Sequence, residues 1–328
     1  MHTHLEGSLP AEMLKLLSIR NKVLLPFDPI TDNLSNFCQK GNWQTFRRVF
    51  FAICSCFKTA DDFTEAVVAY AQQLQNHGVL YAEVHCTPWK HLSRGVALDE
   101  ISTGLLLGVK LAEELHNVRV RIITDLTRNP HEDAQRIVDW LLSLPRSVFV
   151  ALGVSGGDGA LPRNNFARHA ERAKSRGIFI TVHAGELEGP ESVRDALDFL
   201  FADRIGHGIR AIEDPSLIQR LVESNVHLEV CPTANRIIGV GVEDSSHIAS
   251  MMASGLSFSI NTDDELIFGT NLSQEFEYLL AAGIIKPQHI SPIIRNSVYA
   301  LFAGDEIRNG LMQEILGTDD ACPAMAKR

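Results

Sequence analysis

Short β-branched runs alternate with amphipathic stretches along most of the chain, and this alternation constrains the fold more than any other feature. The runs are Val79 to Thr87 (VLYAEVHCT), Val118 to Thr127 (VRVRIITDLT), Val148 to Ser155 (VFVALGVS), Ile178 to His183 (IFITVH), Val226 to Cys231 (VHLEVC) and Leu256 to Asn261 (LSFSIN). Each reads as a parallel strand buried on both faces. Arg204 to Gly206 and the opening His2-Thr3-His4 are shorter candidates, and they bring the number to eight. Helical patterns fall between the runs, over Asp62 to Asn76, Leu98 to Leu115, Pro130 to Leu144, Asn164 to Arg176, Pro190 to Phe201, Pro215 to Ser224 and Ser246 to Ser254. Eight strands, with strand followed by helix repeated along the chain, predict a single-domain (β/α)8 TIM barrel over residues 1–328. A doubly wound open sheet would alternate similarly, but no G-x-G-x-x-G or G-x-x-x-x-G-K-[ST] opens any helix.

One interval breaks the rhythm. Residues 10–78 separate the first candidate strand from the second, and a connection that long is usually a lid or holds its own helices. Trp43, Phe46, Phe50, Phe51 and Phe57 lie in its second half, either as an apolar cover over a ligand or as a small side core. Leu272 to Ala282 and Ile290 to Met312 read as closing helices, and the tail from Gly317 onward as frayed.

With 45% hydrophobic residues and a formal charge of −10, the chain has material for a large core and no basic field to hold phosphate backbones. Nucleic acid is excluded as a partner. The first twenty residues lack a basic start followed by an apolar stretch, and no window approaches a membrane span, so a cytoplasmic protein is expected. Six cysteines, at 38, 54, 56, 86, 231 and 322, form no CxxC pair and read as small buried residues.

The chemistry-bearing residues cluster at the ends of the runs. His2 and His4 sit two apart, so on a strand both imidazoles face one side and could reach one metal. His183-Ala-Gly-Glu186 closes another run, where the small residues permit a sharp turn that presents two functional side chains to one cavity. His207 stands between two glycines in RIGHG, which suits an imidazole pressed against a ligand. Asp263 and Asp264 follow SFSINT, and adjacent carboxylates after an apolar strand are costly unless a cation or donor groups satisfy them. These residues fall at the carboxyl ends of the first, fifth, sixth and eighth candidate strands, which converge on one mouth in a barrel. Three imidazoles and a carboxylate make a nitrogen/oxygen site suited to one zinc ion, and a nearby Glu186 would be free to shuttle a proton.

Taken together, HTHLEGS at 2–8, YAEVHCTP at 81–88, VSGGD at 154–158, HAGE at 183–186, RIGHG at 204–208, CPTAN at 231–235 and SINTDD at 259–264 resemble the adenosine deaminase family of the amidohydrolase superfamily. The resemblance implies purine metabolism: hydrolysis of a 6-aminopurine nucleoside, adenosine first, to its 6-oxo product and ammonia. It implies His2, His4, His183 and Asp263 as zinc ligands and Glu186 as the acid that protonates purine N1. His207 would orient the water, with Asp263 relaying its proton. Asp264 would contact N7, the Gly156 backbone N–H would meet N3, and Glu6 would face the ribose hydroxyls.

Several positions depart from the family. Its apolar strand before HxH is replaced here by Met1 alone, which predicts either further residues upstream or a weakly held first pair of ligands. His85 stands where many members carry arginine, Gly153 where adenosine deaminases often carry aspartate, and Glu265 where proline follows NTDD. RIGHG favours a nucleoside, and Glu6 would repel a 5′-phosphate. VALGVSGGDG leans toward the aminodeoxyfutalosine enzymes, so aminodeoxyfutalosine or adenine is the alternative substrate, and a metal-binding homologue without turnover is the reading of another class.

Overall fold

The computed structural model describes residues 1–38, 42–128, 133–157, 165–240 and 246–317. Seven of the eight expected runs form strands: β1 (Tyr81–Cys86), β2 (Arg119–Thr127), β3 (Phe149–Ser155), β4 (Phe179–Ala184), β5 (Arg204–His207), β6 (His227–Val230) and β7 (Phe258–Ile260). They pair in chain order, every neighbour parallel, as a curled sheet. The geometry is that of a TIM-type barrel, and it departs from the expectation at one place. His2-Thr3-His4 is no regular strand. It contributes two isolated parallel bridges, Thr3 to Asp263 and His4 to His85. Its main chain nevertheless engages both edges of the sheet. The His4 N–H donates to the Asp263 carbonyl at 2.9 Å, and the Leu5 N–H donates to the His85 carbonyl at 2.9 Å. Two bridges are too few for a ladder, so the eighth place is held by a stub.

Over the described residues the expected helices occupy the intervals, with ends that differ from expectation by a few residues in either direction. The helix Leu98–His116 ends on Asn117, which takes the left-handed conformation at φ 54° that terminates helices. Its Gly104 lies against the helix Ala60–Asn76 so closely that a Cβ there would stand 2.2 Å from the Ala60 carbonyl oxygen. The segment expected as one closing helix, Ile290 to Met312, is instead two, Pro287–Ala300 and Asp305–Leu316. The physical reason lies between them. Leu301 and Phe302 turn into the core, and the Phe302 N–H donates to Glu83 Oε1 at 2.7 Å, a bond that a continuous helix would consume. The tail beyond residue 317 lies outside the described residues.

The long connection holds its own helices, Ala11–Arg20, Trp43–Cys54 and Ala60–Asn76, with a 3-10 turn at Leu34–Cys38. Both readings of its aromatic residues have support. Trp43, Phe46, Phe50 and Phe51 line a cavity at the carboxyl ends of the strands, while Phe57 is buried against Phe63 and His91. The five described cysteines are buried free thiols. No helix among the described residues is long and apolar enough to cross a membrane.

Gly104→Val should push the two packed helices apart. Overpacking of this kind costs about 1–3 kcal/mol, and a urea unfolding midpoint unchanged from the parent would show that the helices do not meet at this glycine.

Candidate active site

Strand ends place four side chains around one point. His2 and His4, two residues apart, both turn inward from the stub; His183 comes from β4 and Asp263 from just past β7. His4 Nε2 lies 3.1 Å from His183 Nε2 and 3.5 Å from Asp263 Oδ1, and His2 Nε2 lies 3.7 Å from the same oxygen. Donors about 2.0–2.2 Å from a shared zinc ion stand roughly 3.4 Å apart when tetrahedral, so these separations fit. The donor atoms of His2, His183, His207 and Asp263 all lie within 4.8 Å of one another.

Protonation favours the same reading. Burial and neighbouring imidazoles hold His2 and His183 well below the usual histidine range, and burial lowers His4 to about 4. Neutral imidazoles are the form that binds metals. His2 Nε2 is buried without a hydrogen-bond partner, while its Nδ1 is held by Glu229 Oε2 at 2.8 Å. That leaves the Nε2 lone pair aimed at the shared centre, the arrangement in which a carboxylate fixes the tautomer of a ligating histidine. Burial, aided by the Glu186 carboxylate, pushes Asp263 up to about 7, and burial with the Asp263 charge raises Asp264. A cation at the centre reverses that direction for a carboxylate that touches it.

His2 is firmly held despite the short segment that bears it. Glu229 also accepts from Thr181 Oγ1 at 3.1 Å, and its Oε1 lies 2.5 Å from Arg204 Nε. Arg204 is almost fully buried, paired with Glu83 Oε2 at 2.5 Å and stacked 3.5 Å over the Phe302 ring. Gly206 provides the space, since a Cβ there would stand 2.7 Å from His2 Cε1.

Glu186, His207 and Asp264 open on the same cavity as His4, His183 and Asp263. His207 Nδ1 accepts from the Asn235 amide at 3.1 Å, which puts the ring proton on Nε2, 3.7 Å from Glu186 Oε1 and 4.0 Å from Asp263 Oδ2. His207 and Asp263 both have left-handed backbones, φ 61° and 63°, conformations that non-glycine residues adopt at a cost. Asp264 Oδ1 is buried without a hydrogen-bond partner, and a Cβ on Gly7 would stand 1.7 Å from it. Gly156 lines the cavity, whereas Asp158 of VSGGD lies outside the described residues.

Glu6 corrects an expectation. It is fully buried and absent from the lining of the cavity, and its Oε1 accepts from the Thr87 N–H and pairs with His91 Nε2, both at 2.9 Å. Its Oε1 is thus engaged by the residues that follow β1, while its Oε2 is buried without a hydrogen-bond partner. Glu229, Arg204 and Asn235 are supporting residues that motif reading missed. A signal existed for Glu229 and Glu83: each is a lone carboxylate inside a run otherwise apolar enough to be buried.

A parallel sheet that gathers imidazoles and a carboxylate at its carboxyl edge has the donor set of a metal-dependent hydrolase. The adenosine deaminase family model matches residues 1–318, and the chain belongs to that family of hydrolases acting on C–N bonds. A Pseudomonas putida protein named adenine deaminase is 34% identical over 281 residues, 85% of this chain and 89% of its own. The crystal structure of adenine deaminase from Arthrobacter aurescens superposes with a TM-score of 0.89 at 31% identity, covering 96% of this chain and 97% of that one. An amidohydrolase structure from Burkhoderia ambifaria with bound Zn shares the fold, with a TM-score of 0.84 at 21% identity over 96% of this chain and 88% of its own.

Glu229→Gln should weaken metal binding about 10- to 100-fold, the usual cost of losing the carboxylate behind a ligating histidine. Chelator competition measures it, and an unchanged affinity would remove Glu229 from the support of His2.

Proposed function

We propose that the chain hydrolytically deaminates a 6-aminopurine with the aid of one zinc ion, and that its substrate is free adenine. The observation that carries the reading is the approach of His4 to His183 and of both His2 and His4 to Asp263, beside a cavity that also receives Glu186, His207 and Asp264. Zinc bound to the first four would supply Lewis acidity and lower the pKa of a water molecule. The remaining chemistry belongs to the chain. Glu186 donates a proton to N1, which makes C6 electrophilic. His207 directs its Nε2–H at the attacking water, Asp263 receives the proton that water loses, and Asp264 and the Gly156 N–H hold N7 and N3. A C6–O bond forms, Asp263 passes its proton to the amino nitrogen, and the C6–N bond breaks to release ammonia as the new C6 hydroxyl returns its proton to Glu186, leaving the 6-oxo product. The helix Trp43–Cys54 covers the purine with its aromatic face.

Adenine takes precedence over the adenosine first expected. The relatives named adenine deaminase, at 34% and 31% identity, support it, and so does the withdrawal of Glu6 from the cavity, which removes the side chain expected at the ribose. A second reading has its own observation. Arg47 and Lys90 line the cavity on the side of Phe51, with Lys90 Nζ 4.0 Å from that ring's centre, and cations there suit a 6-aminopurine carrying an anionic group.

Formation of the 6-oxo product from adenine, adenosine, aminodeoxyfutalosine and N6-methyl-AMP, the last releasing methylamine and the others ammonia, each with the zinc-loaded protein, separates these readings. Adenine should have the highest kcat/KM; a preference for either anionic compound would favour the second reading, and inertness toward all four would refute deamination. Chelation should abolish turnover and added zinc restore it. Glu186→Gln should keep zinc and lose about 100-fold or more in kcat, so turnover near that of the parent would exclude Glu186 as the acid. Asp263→Ala should lose metal and activity together, a result that full zinc occupancy in that variant would contradict.

A further inference from the structure

His2 and His4 come from the same short segment, yet only His2 has an obvious carboxylate behind it. A second one is present on an unexpected strand. Asp125 of β2 is fully buried, and its Oδ1 lies 2.7 Å from His85 Nδ1. Its Oδ2 points at His4, 3.6 Å from Nδ1, and neither of those two atoms has a hydrogen-bond partner. A carboxylate oxygen and a ring nitrogen, both buried and both unsatisfied, approach one another to within a small rotation of the ring.

The room for Asp125 comes from the neighbouring strand. Asp125 is in register with Gly153 of β3, and a Cβ on Gly153 would stand 1.8 Å from Asp125 Oδ1. Position 153 must therefore lack a side chain for Asp125 to hold its place. His85, from the other neighbour of β2, closes the arrangement: its own N–H donates to the Thr3 carbonyl at 2.8 Å, so the residue that anchors Asp125 also anchors the segment bearing His4. Gly153 and His85, two separate departures from the family in sequence, form one unit with Asp125 in space.

We infer that Asp125 is the positioning residue for His4, a carboxylate supplied from β2 through space vacated at Gly153 and held by His85, as Glu229 is for His2. The inference rests on the metal reading above. It further implies that the carboxylate can be moved: an aspartate at 153 and a small residue at 125 are the mirror solution of the same packing problem.

The test is an exchange, with zinc affinity measured by chelator competition and the melting temperature of the metal-free protein recorded beside it. Asp125→Asn and Asp125→Ala should each weaken zinc binding about 10- to 100-fold. Gly153→Asp alone, which forces two carboxylates into one space, should lower the melting temperature of the metal-free protein. The double variant Asp125→Ala with Gly153→Asp should regain most of the lost zinc affinity. A merely structural Asp125 would lower the melting temperature in Asp125→Asn and leave its zinc affinity at the parent value, which overturns the inference; so does a double variant that binds zinc no better than Asp125→Ala. Should Asp125→Ala fail to fold, Asp125→Asn against the parent decides. A parent protein that binds no zinc would instead refute the metal reading, and this inference with it.

Discussion

The site depends on a main-chain constraint: four residues at the start of the chain hydrogen-bond to strands at opposite edges of the sheet. The His4 and Asp263 N–H groups donate across one edge and the Leu5 and His85 N–H groups across the other. Because successive side chains on extended backbone point to opposite faces, this placement sends His2 and His4 inward and Thr3 outward. Thr3 then meets Ser8 and Tyr70 through hydroxyl contacts of 2.9 Å on the far side. A stub this short has little cohesion of its own, and its position is dictated by its neighbours.

Burial explains the electrostatics. Inside an apolar ring a charged imidazole is expensive, so the histidines remain neutral, and a carboxylate is tolerated only where something answers it. Arg204 answers Glu83 and Glu229, and the histidine and the Thr87 amide answer Glu6. Asp263 and Asp264 are different. Their charges face each other and the cavity, which gives them a use only in the presence of a cation or a protonated heterocycle.

Much of this was legible in the sequence because strand identity follows from local composition. Apolar β-branched runs announced six of the seven strands and the short RIG segment the other, and HAGE, RIGHG and NTDD marked the residues that share the mouth. What escaped was whatever depends on a partner distant in the chain. The break at Leu301 to Gly304 follows from Phe302 bonding Glu83, more than two hundred residues away. The burial of Glu6 follows from His91, and nothing in HLEGS says which way that carboxylate turns. Gly153 reads as a mere loss until Asp125 is seen to fill the space.

Arg204 links the two ends of the molecule. Besides its carboxylates it donates from Nη1 to the Ala300 carbonyl at 3.0 Å, where the last two helices part. The carboxyl-terminal pair is thus tied to the floor beneath His2 through this guanidinium as well as through the Phe302 bond to Glu83. A change at that distant hinge therefore has a route to His2 that runs through Arg204 and Glu229.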